Sequence, residues 1–299
     1  MNLQDRFRGC LLGLAAGDAV GTTVEFRPRG SFAPLTDMVG GGPFHLQAGQ
    51  WTDDTSMALC LATSLVECNG FDAADQMARY CRWRDEGYLS SNGRCFDIGA
   101  TVANALARYQ RTGNPMAGST DPYSAGNGSI MRLAPTPLYY FADPEAMEQY
   151  AAESSRTTHA AVECLDACRL FGRMIYRALQ GASKEDLLLA DRMNFTGAEK
   201  IEAIARGEYL TKGEDAIRGS GYVVQSLEAA LWCFYHTDSF EQAILAAANL
   251  GDDADTTAAV CGQVAGAHYG VSCIPARWLE RLAMRAEIER LAVQLYQGH

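Results

Sequence analysis

The sequence predicts an all-α fold in one domain, residues 1–299, and three observations carry that prediction. Apolar residues recur at three- and four-residue spacing along most of the chain; Ala160, Cys164, Cys168 and Phe171 form one such stripe. Convincing β signals are few, with no long alternating run and no Asn-Gly or Asp-Gly turn between two of them. Hydrophobic residues make up 48% of the 299 residues, ample for a sizeable core, and no Pro- or Ser-rich linker divides the chain.

Helices are expected over 3–16, 55–68, 73–84, 97–110, 143–153, 157–180, 222–235, 238–250, 255–268 and 276–296, segments rich in Ala, Leu, Met, Arg and Glu. The first stops where Gly17 offers a C-cap. The second follows the polar run TDDT, and the fourth starts on Asp97, a capping residue by default. His159 stands at the start of the 157–180 helix, where an isolated histidine is usually structural. The 255–268 helix follows the run DDADT. Residues 28–50 and 111–129 are rich in turn formers and read as long loops.

The net charge is −11, with Lys and Arg scattered and only Arg27 to Arg29 approaching a cluster. Generic binding to a nucleic-acid backbone is therefore not expected. The N-terminal apolar stretch is too short to span a bilayer and lacks the layout of a secretory signal. The ten cysteines include no CxxC pair. Cys60, Cys164, Cys168, Cys233 and Cys261 fall within apolar helical patterns and read as buried reduced thiols, which fits a cytoplasmic protein.

Two acidic runs stand out. WTDDT, residues 51–55, and GDDADTT, residues 251–257, each precede an apolar helix. Either one alone reads as a helix cap, favoured by the helix dipole. Together they hold far more oxygen than capping requires. Carboxylates packed close together stay ionised only beside a compensating cation. With no His or Cys in either run, an all-oxygen set favours Mg²⁺, Mn²⁺ or Ca²⁺ over Zn²⁺. The EF-hand spacing fails, because the twelfth position from Asp253 is Val264. Two acidic clusters suit two metals sharing carboxylates.

The glycine-rich stretches say less. In SAGNGSIMR, residues 124–132, Gly126 and Gly128 permit close backbone approach, and exposed N–H groups with Ser129 could cradle a phosphate; a plain loop is the simpler reading. No Walker pattern follows. In GDAVGTTVEF, residues 17–26, Glu25 reads by default as solvated.

GDAVGTTVEF, WTDDT, FDIGAT at 96–101, GNGSIMR at 126–132, TH at 158–159, GYVVQSLEAALW at 221–232 and GDDADTTAAV at 251–260 resemble, in this order, the ADP-ribosylglycohydrolase family. The similarity runs from residue 17 to about 260 and looks closest to the bacterial dinitrogenase reductase-activating glycohydrolases. The resemblance implies a compact orthogonal helical bundle with a cleft holding two Mg²⁺ or Mn²⁺. It implies metal ligation by Thr52, Asp53, Asp54, Asp253, Asp255 and Thr256, with Asp252 in a supporting place. It implies catalytic roles for Glu25, a flap residue, and for Asp97, which would act on the ribose. Gly99, Gly126, Asn127, Gly128, Ser129 and His159 would hold the ribose and diphosphate, and Tyr222 the adenosine side. The expected partner is an ADP-ribosylated protein, most naturally modified on arginine. Hydrolysis of ADP-ribosyl-serine or a small conjugate such as O-acetyl-ADP-ribose, non-catalytic ADP-ribose binding, and two-metal phosphoryl transfer are the alternatives.

Overall fold

The computed structural model describes residues 1–298. The α-helices are α1 (Leu3–Gly21), α2 (Asp53–Glu67), α3 (Ala73–Glu86), α4 (Ala100–Thr112), α5 (Pro135–Tyr139), α6 (Pro144–Arg156), α7 (Val162–Gln180), α8 (Lys184–Leu189), α9 (Glu199–Ala205), α10 (Val223–Tyr235), α11 (Phe240–Ala248), α12 (Ala254–Tyr269), α13 (Ala276–Arg281) and α14 (Arg285–Gln297). Pairing between extended segments is limited, among the described residues, to isolated bridges such as Gly126 with Tyr222. The chain is all-α, as its periodicity predicts.

The centre of the fold is the antiparallel pair α1 and α12, each buried along almost its whole length. Their contact is built from glycine. Gly9, Gly13, Gly17 and Gly21 recur every four residues on one face of α1, and a Cβ on each would overlap the carbonyl oxygen of Gly266, Gly262, Ala258 and Ala254 respectively. Side chains at i and i+4 share a helix face, so the spacing turns one backbone stripe toward the other helix. Gly17, expected as a C-cap, is instead part of this contact, and α1 runs one turn further, to Gly21. The ladder places the C-terminal end of α1 directly against the N-terminal end of α12, where Asp255 lies.

The 276–296 and 157–180 helices also differ from expectation. The 276–296 segment splits into α13 and α14, with Met284 at φ 52°. Residues between the two helices bond elsewhere: Ala283 donates its N–H to Gly49 O at 2.9 Å, and its carbonyl accepts from Trp51 Nε1 at 3.1 Å. These tertiary bonds replace the helical ones that continuity would supply. Residues 157–161 likewise leave the helical path before α7, and Ala160 donates its N–H to Ser119 O at 3.0 Å. The five thiols read as buried are buried and unpaired.

Candidate active site

Asp18 organises the start of α2 from a different helix. It is fully buried on α1 and accepts from Thr52 N–H and Oγ1 (both 2.9 Å), and from Thr55 N–H (3.0 Å) and Oγ1 (2.6 Å). Thr52 is the N-cap residue of α2, yet its own side chain makes no capping bond. Asp18 does that work across 34 positions of sequence. Burial pushes the Asp18 carboxyl up to about 6, and the four bonds pull the other way. Asp18→Ala should lower the melting temperature, because two buried N–H donors lose their acceptor at a cost of about 1–3 kcal/mol. The same variant should weaken divalent-cation binding in calorimetry, because Thr52 to Asp54 lose their anchor. An unchanged melting temperature together with unchanged affinity would refute the role.

The early and late acidic runs meet at this point. Thr52 Oγ1 lies 3.2 Å from Asp255 Oδ2 and 3.4 Å from Asp54 Oδ2, and Thr256 Oγ1 lies 3.3 Å from Asp54 Oδ2. The single Thr52 hydroxyl hydrogen goes to Asp18, the nearest acceptor. Its lone pairs therefore face the carboxylates of Asp54 and Asp255, oxygen against oxygen. Asp253 sits at the N-cap of α12, where Oδ2 accepts from Asn127 Nδ2 at 2.9 Å. Asp252 is exposed at φ 56°, a conformation that Asp tolerates. Its backbone accepts from Phe26 N–H and donates to Arg27 O, both at 2.8 Å, which ties the segment after Glu25 to the late acidic run.

Glu25 and Asp97 complete the cluster. Glu25 is only 5% exposed, against the default expectation of a solvated side chain. Oxygens of Glu25, Asp97 and Asp255 all lie within 4.8 Å of one another. Asp97 caps nothing, because α4 begins at Ala100 with Gly99 as its N-cap. At φ 63° the chain turns Asp97 toward the acids instead. Burial, then the charges of neighbouring acids, push Glu25, Asp53 and Asp54 well above the carboxylate range, and burial does the same to Asp255. Asp97 rises to about 7, chiefly by burial. Asp54 Oδ1 and Glu25 Oε2 are buried without any hydrogen-bond partner. Orphaned, mutually repelling carboxylate oxygens fit divalent cations, which would neutralise them and take up their lone pairs.

Four of the acids open onto a cavity of about 370 Å³. Glu25, Asp53, Asp97, Asp253 and Thr256 line it together with Gly99, Gly126, Asn127, Gly128 and His159. The 124–128 loop is held by pairing with the chain before α10: Asn127 N–H donates to Gly221 O and Val223 N–H to Ala125 O, both at 3.0 Å. Among the described residues the N–H groups of Gly128 and Ser129 make no backbone bond, and Gly128, which lines the cavity, can offer its N–H to an anion. Gly128 is required for space, since a Cβ there would lie 2.7 Å from His159 Cε1. Ser129, expected among the ligand-binding residues, does not line the cavity, and its Oγ lies 3.5 Å from Cys168 Sγ. Tyr222 lines an adjoining cavity of about 590 Å³ that shares Thr101, Gly126 and Gly221 with the first. Its Oη donates to Glu163 Oε2 at 2.6 Å and accepts from Lys200 Nζ at 2.7 Å.

The ADP-ribosylglycohydrolase family model matches residues 1–299. The chain belongs to that family. Like other ADP-ribosylglycohydrolases it is a hydrolase of ADP-ribose conjugates. It is 49% identical to the ADP-ribosylarginine hydrolase Tri1 of Pseudomonas putida over 98% of this chain and 78% of that protein. It is 35% identical to the ADP-ribosyl-[dinitrogen reductase] glycohydrolase of Rhodospirillum rubrum over 96% of this chain and 94% of that one. A solved structure described as an ADP-ribosylglycohydrolase-related protein complex superposes with a TM-score of 0.88 at 44% identity, covering 99% of both chains. Sequence reasoning on this glycohydrolase missed Asp18 as an anchor, Phe26 at the cavity edge and buried Arg132. Only Arg132 left a readable signal: a lone cation inside the apolar run SIMRLA.

Proposed function

We propose that this glycohydrolase removes ADP-ribose from arginine side chains of modified proteins with the help of two Mg²⁺ or Mn²⁺ ions. The observation that carries the reading is the meeting of the Thr52–Asp54 and Asp253–Thr256 runs beside one cavity, with carboxylate oxygens left unpartnered. The activity named for the Pseudomonas relative supports the arginine linkage. Thr52, Asp53, Asp54, Asp253, Asp255 and Thr256 would hold the cations, which supply Lewis acidity that orients the ribose and acidifies a water.

The chain's own groups do the rest. The glycine loop and His159 bind the diphosphate and ribose, a neutral cradle suited to an acidic protein. The adjoining cavity beside Tyr222 receives the adenosine. Bond cleavage at the anomeric carbon builds oxocarbenium character, which the surrounding carboxylates stabilise. Asp97 and Glu25, whose Oε2 is unpartnered, lie against Asp255 and are the two proton sites nearest the reacting bond. Residues 1–299 act as one catalytic domain, consistent with a single continuous hydrophobic core. The unpaired cysteines suit a cytoplasmic protein. No helix among the described residues is long and apolar enough to cross a membrane.

Release of ADP-ribose from an arginine-modified protein should stop on addition of EDTA and return with excess Mg²⁺ or Mn²⁺. Turnover untouched by chelation would overturn the metal role. A panel that includes ADP-ribosyl-serine and O-acetyl-ADP-ribose tests the linkage, and faster release from either would displace arginine.

A further inference from the structure

Arg132 is the anomaly in this core. It is 1% exposed, and among the described residues no carboxylate pairs with it. A buried guanidinium normally requires a partner anion. Here its Nη2 donates to Thr158 Oγ1 at 2.7 Å and to Ser154 O at 3.3 Å, and its plane lies over the Tyr80 ring, 4.7 Å from the centroid. Thr158 Oγ1 in turn lies 2.9 Å from His159 Nδ1.

The direction of this chain follows from donor counting. Arginine only donates, so Thr158 Oγ1 must accept from it. Thr158 is fully buried, and its oxygen has no bonding neighbour besides Arg132 and His159. If Nδ1 carried a proton, that oxygen would accept two N–H groups while its own hydrogen stayed buried and unpaired, an arrangement cores avoid. The hydroxyl therefore donates to Nδ1. The bond at one ring nitrogen decides what the other nitrogen carries. Nε2 then holds the proton, and it faces the cavity, 3.4 Å from where a Gly126 Cβ would stand. The backbone is pinned as well: His159 N–H donates to Ser155 O at 2.7 Å, and Ser155 Oγ to His159 O at 2.8 Å.

We infer that Arg132 and Thr158 are positioning residues that lock His159 as a neutral imidazole with its Nε2–H aimed into the cavity as a fixed donor. The relay conveys the pull of a buried cation to that donor without placing a second charge in the wall, since hydrogen bonds in a chain polarise one another. A protonated His159 would put cation beside cation. Burial first, then the Arg132 charge, holds the imidazole down at about 3. The other titratable groups around it are Cys164, whose Sγ lies 3.3 Å from Gly126 O, and the acids Glu25, Asp53, Asp97 and Asp253 of the same cavity. That His159 meets the diphosphate or ribose rests on the function proposed above; the lock itself does not.

The experiment is long-range ¹H–¹⁵N NMR on ¹⁵N-histidine-labelled full-length enzyme, with His159→Gln assigning the signal. From about pH 5.5 to 8, a span that covers the ordinary histidine titration, the wild type should show one neutral ring, protonated at Nε2 only. A charged ring, or an Nδ1–H tautomer, anywhere in that span would overturn the inference. Thr158→Val keeps the shape but removes the relay; it should yield mixed tautomers and weaken calorimetric ADP-ribose binding with Mn²⁺ about fivefold to tenfold. Thr158→Ser should restore both. A valine variant that keeps a pure Nε2–H ring would show that the relay does not set the tautomer. Failure of the wild type to bind ADP-ribose would instead count against the proposed function and leave the tautomer result standing.

Discussion

Asp255→Asn should abolish turnover while making the metal-free protein more stable. The carboxylate of Asp255 faces Thr52 and lies within reach of both Glu25 and Asp97. Under the proposed function, losing it removes a cation ligand from the centre of the cluster. The cations proposed to orient the ribose and acidify the water are then poorly held, so turnover should fall by about a thousandfold or more. Stability moves the other way, because an amide in that place neither repels its neighbours nor needs a proton to be buried.

The pH dependence of the metal-free wild type has the same origin. Asp18 and Asp97 move from 3.8 up to about 6 and about 7 on folding. Between the lower and upper values the native state holds more protons than the unfolded chain. Stability is therefore fully present below about pH 4 and is lost as pH rises toward 7. Melting after chelation should show that decline, added Mn²⁺ should raise the melting temperature more at pH 8 than at pH 5, and Asp255→Asn should soften the slope. A metal-free Asp255→Asn that melts below wild type at pH 7.5, or one that turns over normally, would contradict the cluster's role.

Gly13→Leu should prevent folding altogether. Its Cβ alone would overlap Gly262 O, and Phe240 closes the remaining space at 3.1 Å. Neither helix can retreat, because α1 and α12 are buried on nearly all sides. Overpacking at a backbone-to-backbone contact belongs to the rare substitutions costing more than about 4–5 kcal/mol, against a total stability of about 5–15 kcal/mol. The expected result is insoluble or protease-sensitive protein without a cooperative melt. Gly17→Ala tests the same contact beside Asp18: its Cβ would lie 2.1 Å from Ala258 O, so any folded fraction should melt far below wild type and bind divalent cations more weakly. A Gly13→Leu protein melting within about a degree of wild type would show that the contact is loose.

What the sequence made legible follows a physical division. The all-α class and the acidic runs were readable because periodicity and donor chemistry are local properties. Both runs proved to be more than helix caps, since they meet across some 200 positions of sequence. Roles that depend on a distant partner were not readable. Gly17 resembles a C-cap until Ala258 is set against it, and nothing local marks Asp18 as the anchor of α2. Glu25 reads as solvated because nothing nearby announces its burial. Asp97 reads as a cap because the backbone turn that redirects it leaves no pattern. The division between α13 and α14 was hidden for the same reason: Gly49 and Trp51 compete for its backbone groups.

The glycine stripe has a consequence for how this enzyme can be altered. Where main chain touches main chain there is no side chain to resize, so the gap between the two acidic turns offers natural variation almost nothing to adjust. Novelty must enter through the surrounding segments, above all 26–48, 119–125 and 198–222. A mutational library aimed at a new leaving group should randomise those segments and spare every fourth residue from Gly9 to Gly21.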